Sequence, residues 1–440
     1  MKSVAAAACA AVAVMGLSAP VMSQVGNPAS PRVGTPVTSA PVGSPAPVQV
    51  VTPAPRTGPL PTTLTLAQAL DETSARSPAV VAAEAEVAAA EGRARQAGYR
   101  SNPELSLEVE NVAGTGDLRG LRSMETTLAV NQRLDLGGRR SARIDTARAV
   151  LAVQKIRLAI ARADLAQSVR EQFARSIAAR EKLAQATENV ERARELARVA
   201  TILVEAGRDP PLRALRARSA LAQSQAERAA AEAEELAARS SLAALFGVSA
   251  PIGAVSGTTL DVQPQKVTPE TSLDVRLADA ERTAAQAAVR EQVAERRLDP
   301  AVGVGVRHIR ETGDVGLVAG VSMPLRVFDR NRGNIDAARS ALAATDARRA
   351  STLATTTARA RNAIANVEAA KRRVEALEKA AVPEATEALR LAELSYREGR
   401  ATLLELLDVQ TAYTTSRAAL TEARLALALA TAELGRISAK

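Results

Sequence analysis

Asn102-Pro103-Glu104-Leu105-Ser106-Leu107-Glu108-Val109-Glu110 alternates without a break. Leu105, Leu107 and Val109 share one face, while Glu104, Ser106, Glu108 and Glu110 share the other. A period of two with one apolar face predicts a strand that hides only that face. Three glutamates on the polar side, with no separate apolar segment to cover the other, argue against a hairpin lying on a soluble core. Three further runs match it. Leu128 and Val130 lie in 126–134. Val302, Val304 and Val306 oppose Ala301, Gly303, Gly305 and Arg307, and Leu317, Ala319 and Val321 lie in 317–325. Each run is close to the ~9–11 residues with which a tilted strand crosses a bilayer.

The flanking segments extend the pattern and repeat it. Pro103 and Pro300, Leu134 and Leu325, and Gly207 and Gly399 are matched landmarks, each pair roughly 190–200 residues apart. Offsets that vary by a few residues fall in loops, where insertions are tolerated. After each strand pair comes a long Ala/Arg/Glu-rich stretch, 138–205 and 333–398. At ~1.5 Å per residue each would reach roughly 100 Å as a helix. Apolar residues recur at three- and four-residue spacing, as in Leu183, Ala186, Val190, Ala193 and Ala197. That is coiled-coil-like packing through small side chains. Pro383 should kink the second rod. Gly207 and Gly399 mark reversals into the return helices 211–246 and 402–437.

The expected fold is therefore mainly α with a small β part, in two structural repeats. The chain divides into 1–23, 24–62, a first repeat at 63–250, a linker or short equatorial element at 251–269, and a second repeat at 270–440. Within the first repeat, Thr65 should cap a helix to Arg76, and a second helix over 78–99 leads into the first strand. Four strands cannot close a barrel, since the smallest membrane barrels have about eight. An open edge in lipid leaves its amides unpaired, so the chain must oligomerise. Long helices that enclose a lumen favour three copies, hence twelve strands.

Composition narrows the function. Aromatics are 1% and Trp is absent. The net charge is +9, but Arg is interleaved with Glu and Asp rather than clustered, and no stacking aromatics accompany it. Nucleic-acid binding is excluded on those grounds. Lys2, the apolar run 4–17 and the small residues before Gln24 read as an export signal over 1–23. Cys9, the only cysteine, lies inside that segment and is expected to leave with it. Residues 24–62, rich in Pro, Val, Thr and Gly, read as an extended tether. A single histidine, His308, near a strand end reads as a rim residue. Without a second histidine or a mature cysteine there is no hydrolase constellation and no set of soft metal ligands. No enzyme activity, no cofactor and no metal site are expected.

The strings Asn102-Pro103-Glu104-Leu105, Asn131-Gln132-Arg133-Leu134-Asp135-Leu136-Gly137-Gly138-Arg139-Arg140 and Pro324-Leu325-Arg326-Val327-Phe328-Asp329-Arg330-Asn331-Arg332-Gly333-Asn334-Ile335 resemble the TolC-like outer-membrane efflux channels. Within them the likeness is to the CzcC-type branch that serves heavy-metal efflux, and it covers roughly 64–437. The resemblance implies a homotrimer with a twelve-stranded β-barrel in outer-membrane lipid above a periplasmic helical tunnel. It implies docking through the tips, Gly207, Arg208, Gly399 and Arg400, onto a periplasmic adaptor and a proton-driven inner-membrane pump. It also implies a gate. Acidic residues six and nine positions past the second tip glycine are Glu405 and Asp408, on one helical face, and Tyr396 matches a latch position. The first repeat departs there with Arg213 and Arg216, which could pair with the acids across a subunit boundary. Tyr99 and Phe328 would sit at the periplasmic membrane border, and Glu104, Glu108 and Glu110 would face the lumen.

The expected function is a passive outer-membrane exit duct for divalent heavy-metal cations, with metal selection in the pump. One alternative keeps the fold and exports drugs or a secreted polypeptide. Another is a non-conducting periplasmic coiled-coil scaffold, against which the alternating strands argue.

Overall fold

A computed structural model describes residues 58, 60–257 and 267–439. The expected export signal, Cys9, nearly all of the tether and the middle of the linker lie outside the described residues.

The element order is β1 (Thr63–Leu64), α1 (Leu66–Arg76), α2 (Pro78–Ala97), β2 (Glu104–Glu110), β3 (Glu125–Arg133), α3 (Arg139–Glu205) and α4 (Pro211–Leu245). Then follow β4 (Ala254–Val255), α5 (Leu273–Ala294), β5 (Ala301–Ile309), β6 (Val315–Ser322), α6 (Arg332–Ala376), α7 (Val382–Arg397) and α8 (Leu403–Ser438). Both 78–245 and 273–438 thus run helix, strand, strand, long helix, return helix.

Local chemistry sets the boundaries. Thr65 and Gln68 form a reciprocal capping box that starts α1. Pro78 opens α2, where its missing N–H costs nothing. β6 ends at Ser322, not at 325 as the alternation suggested, because Pro324 has no N–H for the ladder. The stretch 332–397 is not one α-helix. Pro383 cannot donate to the carbonyl one turn back, and just before it the backbone opens into a single wide π-turn, Leu377–Ala381. Its counterpart α3 runs unbroken for 67 residues, about 100 Å at ~1.5 Å per residue.

The strings that carry the family likeness build corners. Gly138 takes φ +73°, and a Cβ on Gly137 would stand 2.9 Å from that of Arg297. Arg139 bonds Asp299 at 2.7 Å and also meets Glu295, tying the first half to the second. Asn331, at φ +56°, gives its side-chain amide to Gln292 O at 2.9 Å and accepts from Asn334 at 2.7 Å. These residues turn strands into helices.

Cohesion comes from small side chains along the rods and a few larger clusters. The largest side chain with essentially no exposure is Phe173, on α3. It packs with Leu64, Val169, Ile177, Leu242, Phe246, Ile252 and Val255. Each such burial contributes about 1.5–3 kcal/mol. β1 and β4 pair in parallel beside this cluster, Thr63 with Ala254 and Leu64 with Val255. The segment read as a linker or equatorial element therefore supplies a strand and two core residues, Ile252 and Val255.

Candidate channel wall and gate

The four longer strands form one antiparallel sheet in the order β2-β3-β5-β6. Register aligns the apolar residues into rows. Leu107 faces Leu128, Leu128 faces Val306, and Val306 faces Leu317. The next row holds Leu105, Val130, Val304 and Ala319. This face is bare: Leu107 is 67% exposed, Val304 61% and Leu317 85%. So wide an apolar surface has no place in water. Among the described residues no helix is long and apolar enough to cross a membrane.

The opposite face is polar or small. Glu104, Glu108 and Glu110, the expected lumen residues, all lie on it beside Ser106, Thr127, Ala129, Asn131 and Arg133. Arg307 bridges Glu110 at 3.3 Å and Glu125 at 2.9 Å, and donates to Thr127 Oγ1 at 3.0 Å. Strand alternation alone did not reveal that bridge, because it depends on cross-strand register. Gly303 and Gly305 let β5 approach β3. A Cβ at Gly305 would lie 2.5 Å from the Leu128 carbonyl oxygen and 2.6 Å from the Ala129 Cβ. Gly305→Val is expected to push β3 and β5 apart and cut the yield of folded protein in the membrane fraction several-fold. Gly320→Ala, on the same face but in open space, should leave that yield near wild type.

At the far end, α3 and α7 finish with the same pair of hydrogen bonds. Arg208 N–H donates to Leu203 O at 2.9 Å and Gly207 N–H to Val204 O at 3.0 Å. Arg400 N–H donates to Ser395 O at 2.8 Å and Gly399 N–H to Tyr396 O at 3.0 Å. Both glycines are left-handed, at φ +67° and +74°, which a side chain would oppose by about 1–2 kcal/mol. Near these reversals Leu196 of α3 packs with Leu389 of α7 and with Leu403, Leu406 and Tyr413 of α8.

The expected gate residues lie in this region in distinct states. Glu405 reaches back to the Thr402 N–H at 2.7 Å while Thr402 Oγ1 accepts from the Glu405 N–H at 3.3 Å, a capping box that starts α8. The Thr402 backbone N–H, and then its hydroxyl, hold the Glu405 carboxyl below the usual carboxylate range. Asp408 is exposed one turn on. Within the chain, Arg213 pairs with Asp209 rather than with either acid, and Arg216 is exposed. Tyr396 packs against the tip cluster with its hydroxyl buried and unpaired. Burial, then the negative charge of Asp209, raises its pKa, opposed by Arg213. The structure thus brings Tyr396 of the second half beside Asp209 and Arg213 of the first. The pairing of Asp209 with Arg213 was missed, although its i,i+4 spacing was there to read. So was the Thr402-x-x-Glu405 box.

Farther along α8, the guanidinium groups of Arg192 and Arg417 lie over the Tyr413 ring, 4.8 and 5.6 Å from its centre. His308 is exposed near the end of β5, on the apolar face of the sheet. Among the described residues no cluster of three or more His, Cys, Asp or Glu could hold a metal ion.

A wall with one water-facing and one lipid-ready side, joined to long helices with a charged tip, can enclose a conduit. The family model for outer membrane efflux proteins matches residues 69–248 and 268–439. The nickel-cobalt-cadmium resistance protein NccC of Alcaligenes xylosoxydans is 32% identical over 63% of this chain, and the match spans 64% of that protein. The cobalt-zinc-cadmium resistance protein CzcC of Cupriavidus metallidurans is 30% identical over 79% of this chain and 83% of its own length. The crystal structure of the outer membrane protein VceC from Vibrio cholerae shares the fold, with a TM-score of 0.71 at 20% identity over 85% of this chain and 96% of that one. With the family model matched on both halves, and the sheet and paired long helices in place, this chain belongs to the outer membrane efflux protein family.

Proposed function

We propose that the chain is the outer-membrane exit duct of a tripartite efflux system for divalent heavy-metal cations. The observation that carries the reading is the sheet, which has an exposed apolar face, a polar face and, among the described residues, two unpaired edges, β2 and β6. In lipid those edges must be satisfied. Pairing β2 of one copy with β6 of the next, three times over, gives a closed twelve-stranded barrel from a chain of two structural repeats. Glu104, Glu108 and Glu110 then line the lumen. The cation cargo is supported by the metals in the relatives' names.

The long helices continue the barrel as a periplasmic tunnel. Its tips, with Gly207, Arg208, Gly399 and Arg400, dock a periplasmic adaptor coupled to a proton-driven inner-membrane pump. Glu405 and Asp408 ring the resting constriction, Arg213 and Arg216 meet them across the subunit boundary, and Tyr396 steadies the closed tip. Metal choice lies in the pump, and the duct supplies a passive path.

Deleting the gene and restoring it tests the reading. Tolerance to nickel, cobalt, cadmium or zinc should fall by several-fold and recover with the wild-type chain. A strain whose metal tolerance is unchanged but which becomes sensitive to dyes or detergents would replace metal by drug cargo.

A further inference from the structure

At the helix end of the sheet, where β2 and β5 begin and β3 and β6 finish, the surface changes character. Tyr99, just before β2, is 62% exposed, and Phe328, just after β6, is fully exposed. Leu136, Leu325 and Val327 are bare at the same end. Beside Tyr99 lies an open pocket lined by Arg93, Gln96, Arg100, Asn102 and Arg143.

Its guanidinium groups differ in what they do. Arg143 donates to the carbonyls of Ala97 and Tyr99, each at 3.2 Å, and Arg140 donates to that of Gly98. These two cap the end of α2. Arg93 and Arg100 are exposed and have no carboxylate partner among the described residues. On the same helix Glu91 is already engaged by Lys155 at 3.7 Å. Gln132, on the apolar face with Leu128 and Val130, donates to Ser101 O at 2.9 Å. The pocket rim is thereby tied to the lipid-ready side of the sheet.

We propose that this pocket binds the headgroup of an anionic phospholipid from the periplasmic leaflet of the outer membrane. The inference rests on the reading of the sheet as membrane-spanning. Tyr99, with an apolar ring and a polar tip, sits at the depth where such rings anchor a protein to a bilayer. Arg93 and Arg100 project where phosphodiesters lie, and the planar guanidinium grips phosphate through paired donors. Uncharged Gln96 and Asn102 complete the wall with groups that hydrogen-bond phosphate or glycerol oxygens. Charge complementarity selects anionic over zwitterionic lipid.

The test is native mass spectrometry of the full chain released from bilayers of equal parts phosphatidylglycerol and phosphatidylcholine. Wild type should retain phosphatidylglycerol preferentially, by about fivefold for each free guanidinium. Arg93→Gln with Arg100→Gln should insert equally well and lose that preference. Arg143 is left in place because it caps α2. Equal retention of the two lipids by wild type, or an unchanged preference in the variant, would overturn the site while leaving the membrane reading intact. Displacement of the lipid by millimolar glycerol phosphate would overturn the lipid as occupant in favour of a free phosphate ester. Failure to enter any bilayer would overturn the membrane reading and the site with it.

Discussion

Leu107→Arg is expected to keep the protein out of the outer membrane. Leu107 lies in the middle of β2, in the row with Leu128, Val306 and Leu317. A charge there would face the bilayer midplane, where an arginine costs about 2–4 kcal/mol in a barrel wall. In the proposed trimer the cost recurs in every copy, so the effect should be close to complete. Ser106→Arg, one residue away, places the same charge on the polar face and should insert nearly as wild type. Membrane fractionation and the heat-resistant band on a gel read both outcomes. Normal insertion of the Leu107 variant would mean that this face meets something other than lipid.

The second large effect concerns the tip. Removing both carboxylates by alanine would also destroy the box that starts α8, because Glu405 is its reciprocal partner. Glu405→Gln with Asp408→Asn removes the charge and keeps a side chain that can reach the Thr402 N–H. This pair should raise the resting conductance and lower the cation-to-anion permeability ratio several-fold in planar bilayers. The difference should shrink in 1 M salt, where the Debye length is about 3 Å. The sign with pH follows from the Glu405 carboxyl, whose pKa is lowered in the folded tip. Its contribution to the start of α8 is full above the ordinary carboxylate range and is lost as pH falls through its depressed value. If Glu405 lines the proposed constriction, its share of the selectivity is expected to persist below the pH at which a free glutamate would protonate. A parent-like permeability ratio in the double variant would place the constriction elsewhere.

Much of this was legible in the sequence because it is periodic. Alternation in 102–110 gave β2 and its two faces, and the 3–4 spacing gave the rods. Gly207 and Gly399 gave the reversals, since a left-handed residue at a helix end is a local requirement. What escaped depends on register or on distance in space. Arg307 meets Glu110 and Glu125 only after β3 is placed between β2 and β5. β4 is two residues long, too short for any period, and it exists because Ala254 and Val255 meet Thr63 and Leu64. The expected gate role of Glu405 and Asp408 rests on family position, which carries no account of what else a side chain does. The capping box at Thr402 is a local signal, written in the four residues Thr402 to Glu405.

The wide turn before Pro383 alters the bookkeeping of faces along the second rod. An α-helix advances about 100° per residue, and a π-turn takes up one residue more than an α-turn. Every side chain beyond Ala381 is therefore rotated by about that angle from where an unbroken continuation of α6 would aim it. Leu389 and Tyr396 reach the tip cluster in this shifted phase. The two rods, 139–205 and 332–397, are alike in length and different in clocking. Only the second carries a built-in offset that can be gained or lost by one residue.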